Sequence, residues 1–367
     1  MNDPGDALSF AERILALIDQ GRTTATYKYA LLLALMDICM ARTGADGRAP
    51  ASVTTHEVAL RILELYWPQT SPFAAAGGSL VLRQNSKGQA GIVSAIQRFR
   101  EVHAADPSAP LSTARRSVPR AFERLVARVE WKLIEMPIPR LQFVGAAHDP
   151  FIYTIGWDTT VTPGQAARPG FPRRLDFAGA AGDHLVRLAG LLRPLIEAKW
   201  IELVTRFNAG VIADPGLAPF LFGAQRISTA RLVPALRELQ GDACFFCGGA
   251  LRGRAEVDHF IPWARVPDNG IENLVLADAR CNGDKRAFVA APAHLERWAE
   301  RFRERRLQES LAAIADDCGW DQHPERTLGV ARAIYFGLPA SADLWLLGRE
   351  FVHPDAGVIA TTLGATG

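Results

Sequence analysis

The sequence predicts a mainly α-helical protein with a small α+β part: a helical N-terminal domain and a small strand-containing core flanked by helices. Three observations lead there. Apolar residues recur at three- and four-residue spacing through most of the chain, strand-like runs are few and short, and Cys244, Cys247 and Cys281 cluster around one of them. A chain of 367 residues, 49% of them hydrophobic, can bury a substantial interior and suits two domains or three small ones.

The helical pattern runs from Leu8 to about Gln142, through Leu8–Ile18, Tyr27–Ile38, Val58–Trp67, Ile92–Phe99 and Phe122–Ile134, and defines a compact helical domain at 1–142. Pro137 and Pro139 close its last helix, because neither donates a backbone hydrogen bond and each restricts the residue before it. Between 143 and 182 a strand-like run, Phe151–Ile155, precedes Thr, Pro, Gly and Arg residues that suit either a hairpin or an ordered loop excursion. Helical spacing resumes at His184–Arg206, where Leu185, Leu188, Leu192, Leu195 and Ile196 form a stripe, and at Thr229–Leu239, giving bridging helices within 143–240. A chemical core occupies 241–292. In the remaining 293–367, Ala293–Ala315 reads as one amphipathic helix, followed by two shorter helical stretches and a fraying Gly/Ala/Thr tail.

Composition excludes several classes. No apolar run approaches a membrane span, and the start lacks the basic region of a secretion signal, so the expectation is a soluble cytoplasmic protein without membrane contact. Lys plus Arg number 41 against 39 Asp plus Glu, a formal +2, so any nucleic-acid site must be a local patch. Only Lys28, Lys87, Lys132, Lys199 and Lys285 are lysines, an arginine bias that GC-rich coding explains as readily as phosphate recognition. Asn85–Gln89 is a turn without phosphate-loop spacing, and His184, His294 and His323 have no partner at metal or triad spacing. Cys39 and Cys318 read as buried thiols acting as small hydrophobes.

The chemistry lies in three spaced pieces: Cys244-Phe-Phe-Cys247, then Glu256-Val-Asp258-His259-Phe-Ile-Pro262-Trp263, then Asn273-Leu-Val-Leu-Ala-Asp278-Ala-Arg-Cys281-Asn282-Gly-Asp-Lys285. Alternation around Glu256–His259 suggests a strand presenting a carboxylate and an imidazole, with a kink near Pro262 to bring both to one site. Hydrolysis of a phosphodiester needs a base for water and a cation on the phosphate, and Asp258 suits the cation while His259 suits the water. Glu256, two residues from Asp258, could assist metal binding, but it is expected first to face solvent or cap the hairpin. These pieces, in this order, resemble an HNH endonuclease, whose catalytic core is the ββα-metal fold; the resemblance covers about 45 residues.

The resemblance implies a metal-dependent endonuclease that hydrolyses DNA, with Mg²⁺ or Mn²⁺ held by Asp258 and Asn282, His259 as the base, Asn273 orienting it and Lys285 near the phosphate. It also implies a structural Zn²⁺ on Cys244, Cys247 and Cys281. Asp278 then stands where many relatives place a fourth cysteine, either completing a Cys3Asp zinc set or serving only as the helix N-cap. The implied substrate is double-stranded DNA, and cleavage of both strands favours a homodimer. A free-standing protein of this kind with a large unassigned domain resembles restriction or anti-phage effectors.

The rival from another class is a zinc-stapled DNA-binding or protein-interaction module without activity, and an RNase or nickase is a third reading. The N-terminal domain would serve as a targeting or regulatory module for DNA, a small activator or a partner protein. Thr23–Lys28 reads as a helix start; Tyr27 with Lys28, Arg83 with Lys87, and Arg115 with Arg116 could contact phosphate but read first as solvated surface features.

Overall fold

The computed structural model describes residues 4–20, 24–75, 78–103, 110–144, 147–210, 216–223 and 228–364. Thr23, at the expected helix start, and the end of the Gly/Ala/Thr tail at 365–367 lie outside them. The chain divides into two compact units, Met1–Cys39 with Pro50–Gln225 and Met40–Ala49 with Arg226–Gly367. No helix among the described residues is long and apolar enough to cross a membrane.

The first unit is helical, as the spacing predicts. Its helix Tyr27–Ala41 is apolar on every side and accordingly inaccessible on every side, with Ala30 to Met36 all within 1% exposure. Helix Thr55–Tyr66 begins at a capping box in which Thr54 and Glu57 satisfy each other's backbone N–H groups. Helix Pro119–Glu135 stops ahead of Pro137, although Pro137–Arg140 then adds one further buried turn. Both readings of 143–182 are present. Tyr153–Ile155 pairs antiparallel with Arg174–Phe177, and the residues between them make an excursion containing the capped turn Pro163–Ala166. Ser52–Thr54 adds a third strand, too short to show in the pattern. The expected helix at His184–Arg206 is two, Ala181–Arg187 and Ala189–Phe207, and Leu195 of its stripe is exposed.

In the second unit, strands Ala255–His259 and Leu274–Asp278 pair antiparallel in unbroken register from Ala255↔Asp278 to His259↔Leu274. The kink expected near Pro262 is therefore not within the strand; His259 is its last residue, and the chain bends after it. Helix Ala279–Lys285 follows the second strand directly, capped by Asp278, whose Oδ1 accepts from the backbone N–H of Arg280 at 3.0 Å and of Cys281 at 2.9 Å. The three elements form a ββα unit.

A collar of helices buries this unit. Trp298 stacks on Phe260 with ring centroids 4.7 Å apart, a contact adding roughly 0.5–1.5 kcal/mol beyond area burial. Instead of one helix over Ala293–Ala315 there are two, Pro292–Arg303 and Arg305–Asp317, separated at an extended Glu304. The reason is a phase jump: Leu295, Trp298 and Phe302 keep helical spacing, but Leu307 follows Phe302 by a step of five, which would swing the second stripe off the core. The Gly/Ala/Thr tail does not fray over its described part. Ala356–Gly364 is a helix that buries Ile359, Thr362 and Leu363 against helices Pro292–Arg303 and Pro324–Phe336. Cys39 is buried as expected, whereas Cys318 is half-exposed because it caps a helix just before Gly319 turns the chain at φ 58.

Candidate active site

A cleft of about 740 Å³ opens along the first strand of the ββα unit and one face of its helix. Glu256, Asp258, His259, Asn269 and Asn282 line it, together with Trp263 beyond the strand and Arg254 and Arg286 at the element ends. Asp258, His259 and Asn282 are thus brought together, although 23 residues separate the last two.

Asp258 is shielded, and the fully buried Lys285 ammonium stands 2.9 Å from its Oδ2. That oxygen is inaccessible to solvent, and the Lys285 ammonium is its ion-pair partner. Burial pushes the Asp258 carboxyl above the usual carboxylate range, against the opposing pull of Lys285. Lys285 also donates to the His259 carbonyl at 2.8 Å, so it braces the strand end from beneath and is not part of the cleft wall. Asn282 and Lys285, three apart on one helix, divide between cleft and floor.

His259 is mostly buried, and burial lowers its pKa below the ordinary imidazole value even with Asn269 and Asp258 favouring the charged form. Its Nε2 lies 2.9 Å from Asn269 Oδ1, and its ring sits 4.9 Å from that of Trp263. The residue that orients the ring here is Asn269. Asn273 instead ties down the connecting loop: its Oδ1 accepts from Ile261 N at 2.7 Å, and its Nδ2 donates to the carbonyls of Ile261 and Asp268 at 3.2 and 3.0 Å. Asn269 left no signal in the sequence, being a loop asparagine ahead of a glycine. Glu256 did leave one, since residues two apart on a strand share a face. It lines the cleft beside Asp258 and accepts from Asn282 Nδ2 at 2.6 Å.

The Cys244–Cys247 turn brings two thiols against the second strand and the helix start. The ligand atoms of Cys244, Cys247, Asp278 and Cys281 all lie within 4.8 Å of one another, a cluster that could hold a zinc ion. Asp278 serves both readings at once, because Oδ1 caps the helix while Oδ2 accepts from Cys247 Sγ at 3.3 Å. Against the push of burial, hydrogen bonds from Cys281 N and the thiols hold the Asp278 carboxyl well below its usual range. Burial and then Asp278 push the Cys281 thiol up. His184 and His294 are buried and hydrogen-bonded away from the cleft, to Asp6 and to the Leu346 carbonyl.

An antiparallel strand pair, a following helix and a cleft holding Asp, His and Asn define a ββα-type site. Residues 248–291 match the family model of HNH endonucleases, so the chain carries an HNH endonuclease domain. Residues 7–214, more than half of the 367, match a second model, and the chain belongs to that family, described as a domain of unknown function (DUF8808). No curated protein and no solved structure matches the chain.

Proposed function

We propose that the protein is a metal-dependent endonuclease that hydrolyses phosphodiester bonds of DNA in the ββα cleft. The observation that carries this reading is the convergence of Asp258, His259 and Asn282 on one cleft inside the stretch that matches HNH endonucleases. With Nε2–H donated to Asn269 Oδ1, His259 keeps Nδ1 as the lone-pair nitrogen, and burial keeps the imidazole neutral and able to take a proton from water. Asn269 is the positioning residue for that ring.

Asp258 and Asn282 fit a hard divalent cation. Asp258 brings a carboxylate to the cleft, and engagement of Asn282 Nδ2 by Glu256 leaves the amide oxygen of Asn282 as its free donor atom. A bound Mg²⁺ or Mn²⁺ supplies charge stabilisation at the scissile phosphate and the leaving oxygen. Lys285 keeps the Asp258 carboxylate compensated inside the fold. The Cys3Asp cluster is proposed as a structural zinc site, since its four close-set ligand side chains supply the number of protein ligands a closed structural zinc site needs.

Plasmid cleavage by wild-type and His259→Ala protein, in EDTA and with added Mg²⁺ or Mn²⁺, tests the reading. Cation-dependent cleavage that falls by about 10²–10⁴ in the variant is expected. Wild-type protein that cuts neither duplex nor single-stranded DNA with either cation would overturn it.

A further inference from the structure

The cleft contains a side chain, Arg286, for which the hydrolytic chemistry has no use and the backbone no comfort. Arg286 ends the motif helix at φ 48 and ψ −124, a region that residues with a Cβ avoid. Asp242, at φ 58, is the other non-glycine residue with positive φ among the described residues, and aspartate tolerates such a conformation through local hydrogen bonding. Arginine has no such compensation.

The fold makes little use of the guanidinium. Its Nε donates to the Gly283 carbonyl at a long 3.3 Å, and no carboxylate pairs with it among the described residues. The fork is therefore free to bind something else. Arg286 lies four residues after Asn282, one helical turn on, and both line the cleft that holds Asp258 and His259. Arg254, just ahead of the first strand, lines it too. A polynucleotide threaded past the Asp258–Asn282 pair brings not one phosphate but a series of them.

We propose that Arg286 is a phosphate-binding residue of this cleft. Its planar fork takes the phosphodiester next to the one being cut, with Arg254 contributing to the same anionic subsite. The strained backbone is what aims the side chain there. This inference rests on the endonuclease reading.

Arg286→Gly separates strain from function, because glycine adopts the conformation freely, whereas Arg286→Ala keeps the strain and removes the charge. Three quantities are measured: the melting temperature, plasmid cleavage with Mg²⁺, and binding of a labelled 20-mer duplex across a salt series in a His259→Ala background. The expected result is a melting temperature about 2–4 °C higher for the glycine variant and little changed for alanine. Both variants should lose about tenfold in duplex affinity and in cleavage, with the slope of log K against log salt smaller by roughly 0.9, one phosphate contact. A glycine variant that binds with unchanged affinity and slope, while the wild type cleaves, would overturn the proposal and leave the nuclease standing. Wild-type protein that neither binds nor cleaves DNA would remove both.

Discussion

Asp278 is asked to do two things with two oxygens, and substitutions can take one away at a time. Oδ1 accepts from two backbone N–H groups at the helix start; removing such a cap costs typically about 1 kcal/mol, or roughly 2–4 °C in melting temperature for a unit of this size. Oδ2 stands among the thiols. Loss of one ligand from a four-ligand zinc site weakens affinity by at least the ~100-fold that mutating an outer-shell partner can cost. At fixed free zinc above both dissociation constants, that removes about 2.7 kcal/mol of stabilisation. Asp278→Ala should therefore lose both contributions. Asp278→Ser retains a side-chain oxygen for the cap, so with chelator present it should melt within about 1 °C of wild type, and with zinc it should gain far less. Asp278→Cys restores a fourth thiolate and should recover the zinc-dependent gain while melting low under chelator. The assay is thermal unfolding with EDTA and with buffered zinc, paired with metal content by mass spectrometry and chelator competition. If Asp278→Ser holds one zinc per chain as tightly as wild type, Asp278 is a helix cap and nothing more.

Lys285→Met leaves the buried Asp258 carboxylate uncompensated and should cost about 3–5 kcal/mol, most of it recovered in the double variant with Asp258→Asn; additive losses in denaturant melts would refute the pairing. Asn273→Ala strips partners from three buried backbone groups and should destabilise the domain by about 3 kcal/mol, whereas Asn269→Ala should leave the melting temperature near wild type and lower cleavage about tenfold with a displaced pH profile. His294 donates Nε2–H to the Leu346 carbonyl while its Nδ1 is buried without a hydrogen-bond partner among the described residues, and burial lowers its pKa. The unfolded chain thus takes up this proton first as pH falls through about 6.5, and stability drops from there down to the folded-state pKa. His294→Gln should flatten the fall by up to about 1.4 kcal/mol per pH unit, and melts from pH 7.5 to 5 that run parallel would refute the assignment.

What the sequence disclosed follows from the range of each interaction. Helical periodicity is local, so the helices of the first unit and the ββα order could be read directly. The division of Ala293–Ala315 is equally local, set by the five-residue step from Phe302 to Leu307, but the charged face continues across it and masks the step. Ser52–Thr54 was beyond reach, because three residues carry no alternation to speak of and their strand character comes from pairing with Arg174–Asp176 far along the chain. In the candidate site, Asp258, His259 and Asn282 were identifiable as chemical types at a spacing. The division of labour around them was not. Whether Asn269 or Asn273 reaches the imidazole depends on how the loop from Phe260 to Asn273 folds back, and the side-chain bonds of Asn273 to Ile261 and Asp268 decide that. Lys285 could be placed on a helix face by counting, but its burial depends on Phe246 and the strand above it, which counting does not supply.

The ββα unit also shows why its neighbours matter to the chemistry. A two-stranded sheet with a seven-residue helix has little core of its own, and its outer strand carbonyls would otherwise face nothing. Helix Pro292–Arg303 answers that need by donation. Trp298 Nε1 and the buried Arg301 both donate to the Glu272 carbonyl, Arg301 also to Leu274, and Arg297 to Phe245 beside the cysteine turn. These bonds hold the start of the second strand and the Cys244–Cys247 turn through residues outside the cleft lining, and with Trp298 stacked on Phe260 they anchor the loop that carries Asn269 and Asn273 at both ends. Losing the Cys3Asp cluster would loosen the turn, and losing Arg301 would loosen the strand, yet neither touches His259. Variants at Arg301 should therefore raise susceptibility to proteolysis within 243–273 before they lower the cleavage rate of the folded fraction, whereas variants at His259 should do the reverse.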